Sequence, residues 1–172
     1  MTTVDDLALQ AWKRSLGRGR TWTPTTREAA IDLLTNGETR LLSTSERSRL
    51  RARLRAMNAT QIAHASGALG PWARYRGEGI ENMERVGPSL VTDEQMGITP
   101  GADWMTFIQV DNLDRFELEN DVILDADGNL GVVQRASADP RIGRILLDTY
   151  LLGDARRSVS AARQLEERAR RA

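Results

Sequence analysis

Residues 104–157 restrict the fold more than any other part of the chain, because strand-like runs, turn residues and an apolar helical pattern follow one another there without a break. The run 105–110 is short, β-branched and aromatic, which is typical of a strand. Its alternation places Phe107 on one face and Ile108 and Val110 on the other. Both faces are apolar, so we predict a largely buried strand.

A β-hairpin is predicted after this strand. Two apolar runs, 121–124 and 130–134, flank a turn in which Gly128 and Asn129 tolerate the positive φ of tight turns. Because the runs lie so close in sequence, we expect the two strands to pair with each other. A further strand between residues 88 and 98 is left open.

Two apolar helical patterns accompany the hairpin. Leu113, Phe116 and Leu118 recur at near-helical spacing in a charged segment, which predicts a short helix. A longer stripe predicts a helix over about 141–152 that packs across the sheet at the centre of the core. The stripe consists of Ile142, Ile145, Leu146, Thr149 and Leu152. The later segment 166–171 has no apolar stripe and is expected to fray.

The residues before this unit are predicted to be helical over about 3–76. Pro24 and Gly37 are typical of the start and the end of one helix. Ser43 and Glu46 have capping-box spacing, in which each side chain accepts a hydrogen bond from a free amide at the start of a second helix.

Residues 58–67 predict a third helix, and 71–76 predict a further short helix or an extended segment. The spacing from Ala63 to Gly67, with Pro71 able to open the next helix, is that of a helix-turn-helix. Whether residues 59–76 form such a motif is left open at this stage.

These patterns together predict an α+β fold in three parts. A basic helical region, 1–77, precedes an irregular connection, 78–103, which is rich in glycine and proline. A small α/β domain, 104–172, then contains a strand, a helix and a hairpin packed against a C-terminal helix.

The composition of the 172 residues, with 40% apolar and 28% charged side chains, is that of a soluble globular protein. The absence of cysteine excludes disulfides and thiolate chemistry and favours a cytoplasmic location. No apolar run approaches the roughly 20 residues that a membrane-spanning helix needs, so no membrane association is expected.

Positive and negative charges are unevenly distributed, although the formal net charge is zero. Residues 1–77 contain 13 basic and 6 acidic side chains, residues 78–154 contain 5 and 16, and residues 155–172 contain 6 and 2. This pattern is typical of a basic nucleic-acid surface beside an acidic domain, or of two halves that neutralise each other within the fold or across a homodimer.

The densest positive feature is the predicted helix over 45–57, which has an apolar stripe at Leu50, Leu54 and Met57. Five arginines flank this stripe, and two more follow in the next basic segment. The predicted DNA-binding residues are Arg47, Arg49, Arg51, Arg53, Arg55, Arg74 and Arg76. Successive helical residues turn by about 100°, which places Arg47, Arg51 and Arg55 on one flank and Arg49 and Arg53 on the other. Removing Arg51 and Arg55 is predicted to leave the fold intact.

Paired carboxylates offer the main alternative chemistry. Asp111 and Asp114 could hold magnesium in a minimal nucleotidyltransferase, but the serine turn and the second closely spaced acid of such sites are missing. Asp125 and Asp127 begin like a calcium loop, yet Ala136 stands where its final glutamate belongs. We therefore predict no catalytic residue, no metal ligand and no cofactor.

The order of several segments resembles actinobacterial AbiEi-like transcriptional regulators and antitoxins. These segments are residues 50–76, 110–116, 121–134 and 139–148. The resemblance implies a DNA-binding part followed by a small domain similar to a degenerate nucleotidyltransferase. The chain differs from the group in lacking a clear winged-helix sequence at its start.

The preferred hypothesis is a non-enzymatic regulatory protein, similar to an antitoxin, that binds DNA, a toxin-like protein partner or both. A metal-dependent nucleotidyltransferase is one alternative. An oligomerising adaptor without a nucleic-acid role, whose basic and acidic halves pair between chains, is the other.

Overall fold

A computed structural model of the protein describes residues 21–67, 72–77, 106–135 and 139–172. This part of the chain is an α+β fold in which helices pack on one mixed four-stranded sheet. Its helices are α1 (Pro24–Asn36), α2 (Thr44–Arg55), α3 (Ala59–Ser66), α4 (Leu113–Glu119), α5 (Ile142–Leu152) and α6 (Ala155–Arg171). Its strands are β1 (Trp72–Gly77), β2 (Thr106–Val110), β3 (Val122–Leu124) and β4 (Leu130–Gln134). The predicted connection 78–103, with its alternative strand, and the first 20 residues lie outside the described residues.

Local capping determines where α1 begins and ends and where α2 begins, as predicted. The Thr23 hydroxyl accepts a hydrogen bond from the first turn of α1, and Gly37 ends the helix with a left-handed φ of 80° that glycine adopts without strain. At α2, the Ser43 amide donates to the Glu46 carboxylate at 3.0 Å while the Glu46 amide donates to the Ser43 hydroxyl. The capping box is confirmed.

The prediction that residues 3–76 are helical is wrong at its end, because residues 72–77 form β1. α3 ends at Ser66, so a helix-turn-helix with a second helix over 71–76 is excluded. Trp72 and Tyr75 favour a strand, and pairing on both sides outweighs the weak local helical signal.

The predicted hairpin is also wrong, because the sheet order is β2-β4-β1-β3 and β1 separates its two strands. β1 is antiparallel to both neighbours, and β2 is parallel to β4. The segment 125–129 therefore crosses β1, with Gly128 against its backbone. A Cβ on Gly128 would lie 2.1 Å from the Tyr75 carbonyl oxygen. The glycine serves this close approach, since among the described glycines only Gly37 and Gly67 have positive φ.

The two faces of the sheet pack against different helices. Phe107 packs with Leu152 at the end of α5, whereas Ile108 shares a cluster with Tyr75 and Phe116 of α4. The alternation predicted for β2 is therefore confirmed. The rest of α5 packs mainly against α1 and α6, so that helix contacts the sheet chiefly through its C-terminal end.

The prediction that 166–171 frays is wrong, because α6 continues to Arg171 with Leu165 and Ala169 fully buried. The buried apolar side chains of α6 are Ala161, Leu165 and Ala169, and alanine carries too little apolar area for this stripe to stand out in the sequence. The main core joins side chains from 22–65 to side chains from 146–172, and these contacts cross the predicted division at residue 77. Among the described helices, none has the length and the apolar character needed to cross a membrane.

Candidate nucleic-acid interface

Helix α2 lies on α1 and α6, with Leu50 and Leu54 directed into the core. Its five arginines occupy the remaining surface. On one flank, three guanidinium groups donate to backbone carbonyl oxygens: Arg47 to Thr39 at 3.1 Å, Arg51 to Gly37 at 2.6 Å and Arg55 to Ala172 at 2.5 Å. Carbonyls beyond the last turn of a helix lack intrahelical partners, so these arginines satisfy acceptors that the fold leaves free.

The other flank of α2 is more exposed. The Arg53 guanidinium lies 5.6 Å from the centroid of the buried Trp22 ring, within the range of a cation–π contact. Arg49 makes no side-chain hydrogen bond or ion pair to the described residues. The alternative that these five arginines pair with the acidic half of the chain is not seen in the described ranges, where their partners are carbonyls and a ring.

Arg74 and Arg76, the other two predicted DNA-binding residues, lie on a different element. Both belong to β1, where Arg74 donates to the Ala126 carbonyl at 3.1 Å and Arg76 forms an ion pair with Asp125 at 2.7 Å. The backbone amide of Asp127 and the Arg76 side chain lower the pKa of Asp125. The structure therefore brings together the five arginines of α2 and holds the other two against the 125–129 crossing.

Sequence reasoning missed the arginines of α6. Arg168 donates to the carbonyls of Leu34 and Thr35, each at 3.1 Å, at the C-terminal end of α1. Arg170 and Arg171 form exposed ion pairs with glutamates one turn earlier. The four-residue spacing of Ala161, Leu165 and Ala169 is the sequence signal that predicts the helical face presenting them.

A groove of about 700 Å³ lies between the last turns of α1 and α6. Arg163, Arg168 and Arg171 line it together with Gly37 and Ala172. The last two residues supply the carbonyls that Arg51 and Arg55 of α2 contact. Arg51 and Arg55 of α2 thus lie beside the α6 arginines that line the groove.

We call this region the basic surface: the five arginines of α2 with Arg163, Arg168, Arg170 and Arg171. Residues 40–57 contain six arginines and one glutamate, a net charge of +5, and residues 163–171 contain four arginines and two glutamates, a net charge of +2. A carbonyl dipole or an aromatic ring does not cancel a formal charge, so most of this positive charge remains available to an anion.

A second cluster of charges has a structural role. Asp148 is 1% exposed. Its carboxylate accepts two hydrogen bonds from Arg135, at 2.7 and 3.0 Å, and forms an ion pair with Arg144 at 3.2 Å. Burial lowers the pKa of Arg144, and the Asp148 charge opposes that shift. These contacts join the end of β4 to α5.

Arg141, just before α5, contacts three carboxylates. It pairs with Asp139 at 2.6 Å, with Asp32 at 2.7 Å and with Glu28 at 2.5 Å, and the last two belong to α1. The hydrogen bond to Asp139 is the main cause that raises the pKa of Arg141. Because every partner is internal, the cluster anchors α1 to α5.

The acidic pair considered for catalysis is exposed. Asp111 follows β2 and Asp114 lies in the first turn of α4. In the described ranges, neither belongs to a group of three or more side chains that could hold a metal. Comparisons with protein-family models, with curated proteins and with solved structures found no match for this chain.

Proposed function

We propose that the protein is a non-enzymatic regulatory protein that binds DNA through the basic surface. The observation that carries the proposal is the nature of the contacts made by the α2 arginines. The described partners of Arg47, Arg51 and Arg53 are carbonyl oxygens and the Trp22 ring, which position these guanidinium groups without neutralising them. Positive charge held at defined positions attracts the phosphate backbone of a duplex.

The spacing of these arginines suits several phosphate contacts at once. On each flank of α2 successive arginines are four residues apart, which corresponds to about 6 Å along the helix axis. A guanidinium group donates through a planar fork, so Arg47 and Arg51 can each bind a phosphate while keeping a hydrogen bond to a carbonyl. The resemblance to AbiEi-like regulators agrees with DNA as the ligand.

The proposal is tested by the salt dependence of DNA binding. A surface that neutralises about four phosphates gives a slope of roughly −3.6 in a plot of log K against log salt concentration. Arg49 and Arg163 are exposed and form no side-chain hydrogen bond or ion pair with the described residues, so Arg49→Gln with Arg163→Gln removes charge at little structural cost. We expect this variant to flatten the slope by roughly 1.8 if both contact phosphate.

Fluorescence anisotropy with a labelled duplex between about 50 and 200 mM salt measures the slope. Arg115→Gln is the matched control, because Arg115 is an exposed arginine of α4, outside the basic surface. Its slope should equal that of the wild type. No measurable affinity at about 50 mM salt, or an equal loss in the control, would contradict DNA binding by the basic surface.

The adaptor alternative rests on the acidic charges of residues 111–127, where seven carboxylates accompany one arginine. If the basic surface binds this region of another copy, sedimentation should show a dimer that dissociates with salt. The Arg49→Gln/Arg163→Gln variant would then weaken the dimer, while the wild type would not bind the duplex.

A further inference from the structure

The edge of the sheet at β3 exposes two large apolar side chains. Ile123 and Leu124 are each 69% exposed, and Leu118 on the neighbouring α4 is 88% exposed. β3 is the last strand in the order β2-β4-β1-β3, so none of the described strands covers its outer edge. Edge strands of stable proteins usually avoid such side chains, because an apolar edge readily pairs with another chain.

The two apolar side chains of β3 point to opposite faces of the sheet. Leu124 lies opposite Tyr75, on the face that α4 covers, whereas Ile123 lies opposite Arg76 on the other face. A flat partner surface could bury only one of them. An additional strand beside β3 would bury both, because its own side chains alternate between the same two faces.

The backbone of β3 is oriented for such an addition. The Asp125 amide donates to the Arg74 carbonyl at 2.9 Å, so Asp125 and, by the alternation of the strand, Ile123 direct their amides toward β1. Leu124 lies between them and turns its amide and carbonyl outward. The backbone of a partner strand would form hydrogen bonds with this amide and this carbonyl.

The charge around β3 indicates the chemistry of the partner. Asp121 and Asp125 flank the strand, and Asp114, Glu117 and Glu119 lie on α4. Arg76 pairs with Asp125 and Arg115 pairs with Glu119, so this group of side chains keeps a net negative charge. A second copy of β3 in antiparallel pairing would place these aspartates opposite each other, and directly opposed like charges destabilise a sheet. A segment with two adjacent apolar residues between basic residues would instead place one apolar side chain on each face, over Ile123 and Leu124, and its basic residues would pair with the carboxylates.

We propose that the β3 edge binds a basic, apolar segment of another protein, which adds to the sheet as a fifth strand. This site lies on a different element from the basic surface and does not depend on the proposed DNA binding. Loss of one activity therefore leaves the other measurable.

The test uses the full chain and two fluorescent peptides, in which a central pair of adjacent valines is flanked by lysines in one peptide and by glutamates in the other. We expect the lysine peptide to bind and the glutamate peptide not to bind. Ile123→Ser with Leu124→Ser should weaken binding of the lysine peptide by about tenfold or more. Val159→Ser is the matched control, because Val159 of α6 is also 69% exposed, and it should bind like the wild type.

Leu124→Pro tests the strand geometry. It removes an amide that points outward, a position where edge strands tolerate proline, so the fold should persist while peptide binding is lost. Hydrogen exchange at Leu124 in the wild type should slow when the lysine peptide binds.

Three outcomes would overturn the proposal. Equal binding of the lysine peptide to all variants would indicate adsorption by charge alone. A wild-type dimer that Leu124→Pro converts to a monomer would identify a second copy as the occupant. No binding to the wild type, together with a serine variant that melts several degrees lower, would indicate that the chain covers this edge itself.

Discussion

Replacing Arg51 and Arg55 by alanine separates the structural and electrostatic roles of α2. Arg51 donates to the Gly37 carbonyl at 2.6 Å, and Arg55 donates to the Ala172 carbonyl at 2.5 Å. The sequence predicted that both side chains are dispensable for folding. Because of these contacts, we now expect both to contribute to stability. They join α2 to residues at the ends of α1 and α6, so the loss of both should destabilise the helical layer.

The size of the effect follows from burial. A hydrogen bond from a charged donor contributes about 1.5 to 3 kcal/mol, and the lower end applies to the half-buried Arg51. Arg55 is more exposed, so we assign it about 0.5 kcal/mol because solvent screens such a contact. The sum is about 2 kcal/mol, and a chain of this length loses about 2 to 4 °C in Tm for each kcal/mol. We expect Tm to fall by about 4 to 8 °C.

Calorimetry gives Tm, and the duplex titration gives the salt slope of the same variant. The slope should flatten by roughly 1.8 if both arginines contact phosphate. The matched variant Arg49→Gln/Arg163→Gln should show a similar change in slope with Tm within about 2 °C of the wild type. An Arg51→Ala/Arg55→Ala variant that melts like the wild type would refute the role assigned to the carbonyl contacts. A lower Tm with an unchanged slope would show that these arginines only hold the fold.

Two further predictions concern the ion pairs that anchor α5. Asp148→Ala should lower the free energy of unfolding by about 3 to 5 kcal/mol in denaturant titrations, because Arg135 and Arg144, 11% and 13% exposed, lose their shared carboxylate. Replacing Glu119, whose ion pair with Arg115 is exposed, by alanine should lower the free energy of unfolding far less, and an equally small loss for Asp148→Ala would contradict the assigned role. Burial would raise the pKa of Asp139, but the Arg141 hydrogen bonds and charge outweigh burial and lower it below 3.8. The contribution of ionised Asp139 to stability is therefore present above pH 3.8 and is lost as the pH falls through the lower pKa of the folded state. In an acid titration, Asp139→Asn should lose less stability than the wild type. Identical acid curves for the two proteins would refute this.

The sequence predicted those features of the helical layer that depend on residues only a few positions apart. Pro24 and Gly37 determine the ends of α1, and the Ser43 and Glu46 pair determines the start of α2, because each cap satisfies amides or carbonyls of its own helix. The alternation in β2 likewise predicted which side chain faces which layer. The two arginine flanks of α2 followed from helical rotation alone.

Contacts distant in sequence decided the rest. The sequence determined that residues 121–134 contain two strands, but only the tertiary structure placed β1 between them, because strand pairing depends on which edges meet in the folded chain. The sequence also determined that α2 is densely basic. It could not determine the partners of these arginines, since the carbonyls they contact belong to residues that folding brings to α2, such as Ala172, which is 117 positions from Arg55.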